Sequence, residues 1–309
     1  MPKIILPEYY KDLVTLGQNQ RYITYSARYK DQQVFIKHIN SPRLKKNIRY
    51  EIFGLEAFRQ LDSLIKFDFK VPKIIEYGSD YLVTSWAAGQ PIQFDPDQSD
   101  FDQNIRFFAK SFAKIDYSCH LANPLPATFS TKTKNIYSST RQLHKKLLST
   151  NYPQYFDPKL IDQAFDYFSI NSGLLEARLT HADFTPNNVL EFHNKKTLID
   201  YESVSLRWPR FYDLTNFTYN RMILHPNLTP GCTKMIYQYF KYNKSTDLEN
   251  AIPQLNMSAL IRGLAIIWEL SSNPNANHNT EYDLSQPTAD RISTSLMHIL
   301  KDRPFFEAF

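Results

Sequence analysis

Apolar residues follow short periodic patterns through the first part of the chain. The β-branched and aromatic runs Tyr22–Tyr29 and Gln33–Ile39 are separated by a polar turn, which predicts an antiparallel hairpin. Between Ile48 and Leu61, apolar residues recur at spacings of three and four, which predicts a helix. The segment Pro72–Gly78 and the run Tyr81–Ser85 predict two more strands. We therefore expect strand, strand, helix, strand, strand.

Helical spacing dominates after Gly89. The apolar positions predict helices near residues 102–117, after the start signal Asp157-Pro158, and near 257–270 and 287–300. One island of β character interrupts them, with strands Asn188–Phe192 and Thr197–Tyr201 joined by a polar turn. The pattern predicts an α+β chain with a small β-rich N-terminal lobe (residues 1–85), a hinge (86–89) and a larger, mainly helical C-terminal lobe (90–309).

Composition argues against a membrane-spanning, a nucleic-acid-binding and a disulfide-rich protein. The chain has 309 residues, 42% of them hydrophobic, and its formal charge is +5. No apolar run reaches the roughly 18–20 residues that span a bilayer, so we expect no membrane span. Basic residues are scattered rather than gathered in a stripe, so we expect no nucleic-acid partner. With two cysteines and no signal-peptide layout at the N-terminus, we expect a cytoplasmic protein with reduced thiols.

The β island carries polar residues at spacings that suit phosphoryl transfer. Asp183 and Asn188 are five residues apart in a loop that Pro186 keeps from becoming a helix, and Asp200 follows at the end of the next predicted strand. Mg²⁺ prefers oxygen ligands, and the Asn188 amide and Asp200 carboxylate on adjacent strands can converge on one ion. Asp183 is then available to accept a proton from an attacking hydroxyl.

The segment L-T-H-A-D-F-T-P-N-N-V-L, followed by L-I-D-Y-E, resembles the catalytic loop of the aminoglycoside phosphotransferase and choline kinase superfamily. That resemblance implies a bilobal, protein-kinase-like fold. It implies His181 as the loop's structural histidine, Asp183 as the catalytic base, and Asn188 and Asp200 as Mg²⁺ ligands. Asp213, in F-Y-D-L, matches the family's aspartate that braces the loop from beneath.

The resemblance also implies nucleotide contacts in the N-terminal lobe. Lys37, in V-F-I-K-H-I, matches the phosphate-binding lysine of a kinase third strand. Glu51 is the expected helical partner of Lys37, with Glu56 as a competitor, and the sequence leaves the choice between them open. The backbone of the hinge residues Ser85, Trp86 and Ala87 is expected to hydrogen-bond adenine, and Gly17–Arg21 to cover the phosphates.

The chain also departs from the family pattern at several positions. Ala182 stands where glycine is usual, a small change if its φ is not positive. Protein-kinase landmarks after Asp200 are missing, which favours a small-molecule acceptor. Glu202 fits a second metal, the acceptor or solvent equally well. The acidic segment Glu281–Asp283 is a further candidate for contacts with the acceptor. Four other residues could line an acceptor pocket, although core packing is the simpler explanation for the aromatic ones: Trp208, Tyr212, Trp268 and Glu269.

The sequence thus predicts an enzyme that moves the γ-phosphate of ATP, or alternatively GTP, to a hydroxyl of a small polar molecule with Mg²⁺ as cofactor. Three acceptor classes stay open: an amino alcohol, a sugar derivative and an aminoglycoside. The alternative is a nucleotide-binding pseudokinase or regulatory module without catalysis. The sequence leaves the oligomeric state undetermined.

Overall fold

The computed structural model describes residues 8–121, 136–150, 154–243, 246–272 and 286–309. The chain divides into two compact units. One comprises Met1–Ile92 and Asp183–Val204, and we call it the β-rich unit. The other comprises Gln93–Ala182 and Ser205–Phe309, and we call it the helical unit. Within the described ranges, no helix combines the length and the hydropathy that crossing a bilayer requires.

The strands are β1 (Lys11–Gln18), β2 (Tyr22–Tyr29), β3 (Gln32–Ile39), β4 (Ile74–Tyr77), β5 (Tyr81–Ser85), β6 (Gln90–Pro91), β7 (Ala177–Thr180), β8 (Val189–Phe192), β9 (Lys195–Leu198) and β10 (Ser205–Pro209). The helices are α1 (Lys45–Leu64), α2 (Phe101–Leu121), α3 (Ile136–Leu147), α4 (Pro158–Asn171), α5 (Tyr212–Leu224), α6 (Thr229–Tyr242), α7 (Leu248–Ser272) and α8 (Gln286–Ile299).

A five-stranded antiparallel sheet in the order β1-β2-β3-β5-β4 forms the start of the β-rich unit. The β2–β3 hairpin turns on Lys30 and Asp31, whose φ values of 48° and 62° give a tight left-handed turn that matches strand twist. The apolar side chains buried together on this sheet are Tyr10, Ile23, Tyr25, Ala27, Val34, Ile36 and Val83. The predicted hairpin is confirmed, and β1 is an additional strand.

Helix α1 buries one face, including Ile48, Leu55, Phe58 and Leu61, as its spacing predicts. A close contact fixes its position. A Cβ on Gly54 would lie 2.5 Å from the carbonyl oxygen of Tyr201, so only glycine permits this approach. The Phe58 ring meets the Tyr201 ring edge-on at 5.2 Å. The helix is thereby held against the short 3₁₀ turn Tyr201–Ser203 that follows Asp200.

The β8–β9 hairpin pairs with β6 in a second sheet. Gly89, at φ 118°, permits this pairing. A Cβ there would lie 2.2 Å from the carbonyl oxygen of Glu191 and would prevent the close approach. Strand pairing therefore groups residues 183–204 with the first 92 residues, whereas the predicted lobes assign them to 90–309. The predicted strand Thr197–Tyr201 extends too far. Strand β9 ends at Leu198, because Asp200 has φ 61° and does not continue the strand.

The helical unit contains α2 to α8 and the antiparallel pair β7–β10. The helix after Asp157 begins with Pro158 as predicted, and the Asp157 side chain caps it by accepting from the N–H of Lys159 at 2.9 Å. Inside the unit, Arg210 makes a bidentate ion pair with Asp116, which is 5% exposed. Both cysteines are buried and free.

Candidate functional site

Lys37 lies at the centre of a buried charge cluster in the β-rich unit. Its Nζ is 2.7 Å from Glu51 of α1 and 2.9 Å from Asp200. Glu202 is 3.5 Å away. Glu56, the competing partner, is exposed on the other side of α1. The structure therefore brings Lys37 together with Asp200, which lies 163 positions further along the chain.

Burial and charge act in opposite directions on this cluster. Burial by itself lowers the pKa of Lys37, but attraction to Glu51, Asp200 and Glu202 outweighs it and raises that pKa above its ordinary value. Burial raises the pKa of Glu51, which Lys37 opposes and the two other carboxylates reinforce. Lys37 is thus held as a cation, because one buried ammonium faces three carboxylates.

Glu202 does not face solvent, which was one of its three predicted environments. Its side chain is 9% exposed. One carboxylate oxygen pairs with Arg21 Nη1 at 2.7 Å, and the other accepts a short hydrogen bond from the hydroxyl of Tyr22. Asn47 of α1 donates to the same hydroxyl at 2.9 Å. The Tyr22 ring in turn lies under Lys37 Nζ, 4.3 Å from the ring centroid.

The loop before β8 places Asp183 and Asn188 side by side in the β-rich unit. Asn188 donates through Nδ2 to the carboxylate of Asp183 at 2.8 Å and to its backbone carbonyl at 2.9 Å. Pro186 begins a single 3₁₀ turn that closes the loop. Because Nδ2 is directed to Asp183, Oδ1 is the Asn188 atom that remains for a cation.

Asp213 braces the start of the same loop within the helical unit. Its two carboxylate oxygens accept hydrogen bonds from the backbone N–H groups of His181 at 2.8 Å and Ala182 at 2.7 Å. Asn216 donates to the carbonyl of Ala182 at 3.2 Å. Asp213 also lies in the first turn of α5, where the helix dipole favours a negative charge.

The backbone of Ala182 has φ 64°, the left-handed region that glycine adopts at little cost. The replacement of the usual glycine is therefore not the small change expected for a negative φ. Strain of this kind costs on the order of 1–2 kcal/mol for a residue with a Cβ. The hydrogen bonds to Asp213 and Asn216 hold the strained conformation in place.

No protein-family model matches the chain, and no curated protein matches its sequence. Solved structures do match it. Aminoglycoside phosphotransferase APH(2'')-Ib bound to ADP has a TM-score of 0.58 and 13% identity, covering 98% of this chain and 96% of that one. The GDP and kanamycin complex of APH(2'')-IIIa gives 0.60 and 16%, covering 94% and 93%. The chain has the fold of the aminoglycoside phosphotransferases.

A third structure with this fold, a thermostable mutant of APH(4)-Ia with ADP and hygromycin B, gives a TM-score of 0.57 and 15% identity over 92% of this chain and 94% of that one. The predicted α+β, protein-kinase-like fold class is thus confirmed, and so is the resemblance to this group of proteins at the level of fold. Identities this low carry the fold alone.

The predicted adenine contacts lie at the end of β5 in this aminoglycoside phosphotransferase fold. The N–H of Ser85 donates to the carbonyl of Lys73 at 2.8 Å, and its Oγ accepts from the N–H of Lys73 at 2.9 Å. Ser85 therefore uses its N–H inside the β-rich unit. Trp86 and Ala87 follow with no regular structure and are half-buried. They stay predicted adenine contacts.

The candidate acceptor residues of the helical unit make contacts within that unit. Trp208 stacks on Tyr212 with ring centroids 4.3 Å apart. Glu269 makes a bidentate pair with Arg262, at 2.9 and 3.1 Å. These contacts agree with the packing interpretation of the aromatics. The acidic segment Glu281–Asp283 lies outside the described residues.

Two residues of the charge cluster, Tyr22 and Asn47, were not singled out by sequence reasoning. Arg21 was included only as the last residue of the predicted phosphate-covering segment Gly17–Arg21. Tyr22 stands two residues before Thr24, which pairs with Lys37 in the ladder. Alternation along β2 therefore puts Tyr22 on the same face as Lys37, and that signal could have identified it.

Proposed function

We propose that this protein is a phosphotransferase that moves the γ-phosphate of ATP, or of GTP, to a hydroxyl of a small polar molecule. The observation that carries the proposal is the Lys37 cluster. One buried lysine is paired both with a helical glutamate and with Asp200, as phosphate-binding lysines require. The aminoglycoside phosphotransferase fold supports it, since structures with this fold hold ADP or GDP.

Asp183 is the proposed general base. Its carboxylate accepts a hydrogen bond from Asn188, which fixes its orientation without neutralising its charge. An acceptor hydroxyl beside this carboxylate would lose its proton to Asp183 as its oxygen bonds to the γ-phosphorus. The bond from that phosphorus to the β–γ bridging oxygen breaks in the same step, and ADP or GDP leaves.

Asn188 and Asp200 are the proposed ligands of Mg²⁺. The donor set fits, because Asn188 Oδ1 and the Asp200 carboxylate are oxygens and the Asp200 side chain is 31% exposed. When bound, Mg²⁺ supplies positive charge that neutralises the phosphates. Lys37 adds a fixed positive charge, and Glu51 orients it.

Nucleotide turnover tests the proposal. We would measure ATP and GTP consumption with Mg²⁺ and a panel of acceptors: choline, ethanolamine, hexoses, amino sugars, kanamycin and hygromycin B. The last two belong to the panel because structures with this fold bind them. Asp183→Asn should lower turnover by about 10²–10⁴-fold while nucleotide affinity is kept. Asp166→Asn, the same change at an exposed position of α4, is the control and should retain full turnover.

Two results would contradict the proposal. Equal turnover in Asp183→Asn and in the unchanged protein would remove Asp183 as the base. Nucleotide binding that depends on Lys37 but never leads to turnover would favour the regulatory-module alternative. The acceptor that gives the highest turnover identifies the substrate class.

A further inference from the structure

The β1–β2 turn uses most of its backbone donors within the chain. Asn19 donates its N–H to the carbonyl of Tyr22 at 2.9 Å. The Asn19 side-chain oxygen accepts from the N–H groups of Arg21 at 2.8 Å and Tyr22 at 2.7 Å. A glycine-rich loop holds phosphates with such N–H groups. Here three of them are engaged, so side chains must supply the donors for a phosphate.

One carboxylate bridges Arg21 of this turn and Lys37 of β3. Glu202 Oε1 is 2.7 Å from Arg21 Nη1, and Oε2 is 3.5 Å from Lys37 Nζ. A phosphate group would offer two oxygens in the same way, and an arginine fork suits either anion. The Arg21 side chain is 56% exposed, whereas Lys37 is 9% exposed. Arg21 is therefore the member of the pair that an incoming anion reaches first.

We propose that Arg21 and Lys37 together form a clamp for the nucleotide's polyphosphate, and that Glu202 holds the clamp in place when no nucleotide is bound. The inference rests on the proposed function, and it assigns to the Arg21 side chain the phosphate contacts that backbone N–H groups make in a glycine-rich loop. Binding exchanges the Glu202 carboxylate for phosphate oxygens between the two cations. Tyr22, hydrogen-bonded to Glu202 and Asn47, keeps the clamp aligned from below.

The charges of the clamp predict how each of its residues affects nucleotide affinity. The carboxylates of Glu51, Asp200 and Glu202 lie close to one another and contact Lys37, and Glu202 also contacts Arg21. Three acids against two cations leave an excess of negative charge that opposes a polyphosphate. Glu202 is the one carboxylate of the three that also pairs with Arg21 in the described structure. Removing its charge should therefore strengthen nucleotide binding in the absence of metal, and removing Arg21 should weaken it.

Affinity for ATP, ADP and AMP, measured by calorimetry in Mg²⁺ and in EDTA, tests the clamp. Arg21→Ala should lose affinity for ATP by roughly tenfold to a hundredfold, as expected for a hydrogen bond between charged groups, with smaller losses for ADP and AMP. Arg28→Ala is the control, because Arg28 is an exposed arginine on the neighbouring strand β2. It should bind all three nucleotides as the unchanged protein does. Glu202→Gln should bind ATP more tightly in EDTA.

Three results would overturn the clamp: an Arg21→Ala affinity equal to that of Arg28→Ala, an equal loss for AMP and ATP, or weaker ATP binding in Glu202→Gln with EDTA. Thermal unfolding of each variant checks that the fold is intact. The unchanged protein separates this inference from the proposed function. If it fails to bind nucleotide, the function itself is refuted. If it binds ATP in a Lys37-dependent way and Arg21→Ala does not matter, only the clamp is refuted.

Discussion

Asp116 of α2 is a buried acid whose removal should be costly to the helical unit. Arg210 donates to its carboxylate through Nε at 2.9 Å and Nη2 at 2.7 Å. Tyr239 and Asn243 donate to the same carboxylate at 3.1 and 2.6 Å. The pair joins α2 to the segment just before Asp213, which braces the candidate catalytic loop. The perturbation that we consider is Asp116→Ala.

The expected magnitude follows from burial. The Arg210 side chain is 10% exposed and that of Asp116 is 4% exposed, so truncating the acid leaves a guanidinium without its counter-charge in the interior. Breaking a buried pair in this way costs about 3–5 kcal/mol. Domains unfold with about 5–15 kcal/mol, so one substitution should remove a large share of the stability.

An exposed pair with the same shortest N–O distance serves as a control in the same unit, between α2 and α6. Asp102 of α2 pairs with Lys234 of α6 at 2.7 Å, the N–O distance of the Arg210–Asp116 pair, but these side chains are 57% and 46% exposed. Asp102→Ala should cost far less stability than Asp116→Ala, because solvent screens the exposed pair. The two variants therefore separate the effect of burial from that of distance.

Urea unfolding, monitored by circular dichroism, measures the free energy of unfolding of both variants. The same measurement is made on Arg210→Ala and on the double variant Asp116→Ala/Arg210→Ala. We expect the double variant to lose less than the sum of the single losses, by up to about 3 kcal/mol, since the two groups are in direct contact. An Asp116→Ala loss no greater than that of Asp102→Ala would refute the reasoning. So would strict additivity of Asp116→Ala and Arg210→Ala.

Three further predictions concern stability and reactivity. Ala182→Gly should raise the free energy of unfolding by about 0.5–1 kcal/mol in urea, because relief of the positive φ exceeds the added entropy of the unfolded chain. Gly54→Ala should lower it by about 1–3 kcal/mol, because the new methyl group would strike the carbonyl of Tyr201. Burial raises the pKa of Cys119 and of Cys232 to about 12, so neither thiol should react with a thiol reagent at pH 8 until urea unfolds the protein. Their contribution to stability is complete below the ordinary thiol pKa and is lost as the pH rises towards 12, which unfolding measured at pH 8 and pH 10 would show as a loss at pH 10.

Periodicity predicted the elements that bury one face. Helix α1 was indicated by the spacing of its apolar positions, and the β2–β3 hairpin by two β-branched and aromatic runs on either side of a polar turn. Strand β1 was missed because its residues are exposed on both faces and show no alternation. The start of α7 was missed because Pro253 stands inside the helix, and proline usually ends one.

For the site, chain spacing indicated which residues matter but not what each one touches. The loop and its brace follow a linear pattern, and the structure puts Asp213 on the N–H groups of His181 and Ala182. The environment of Glu202 depends on a hydroxyl 180 positions away, which no local pattern encodes. The φ of Ala182 was equally invisible, because the side chain alone does not report the backbone conformation.

The choice between Glu51 and Glu56 was open at the sequence level, although helical geometry contains the answer. Glu51 lies four residues before Leu55 and seven before Phe58, so it shares their buried face, whereas Glu56 falls on the opposite side. Gly54 is on that buried face too, where it meets the turn after Asp200. The same face of α1 therefore makes the contact of Gly54 with Tyr201 and the ion pair of Glu51 with Lys37. Gly54→Ala should therefore weaken the proposed Lys37-dependent nucleotide binding as well as stability. A nucleotide affinity equal to that of the unaltered protein would show that the position of α1 does not control the Glu51–Lys37 pair.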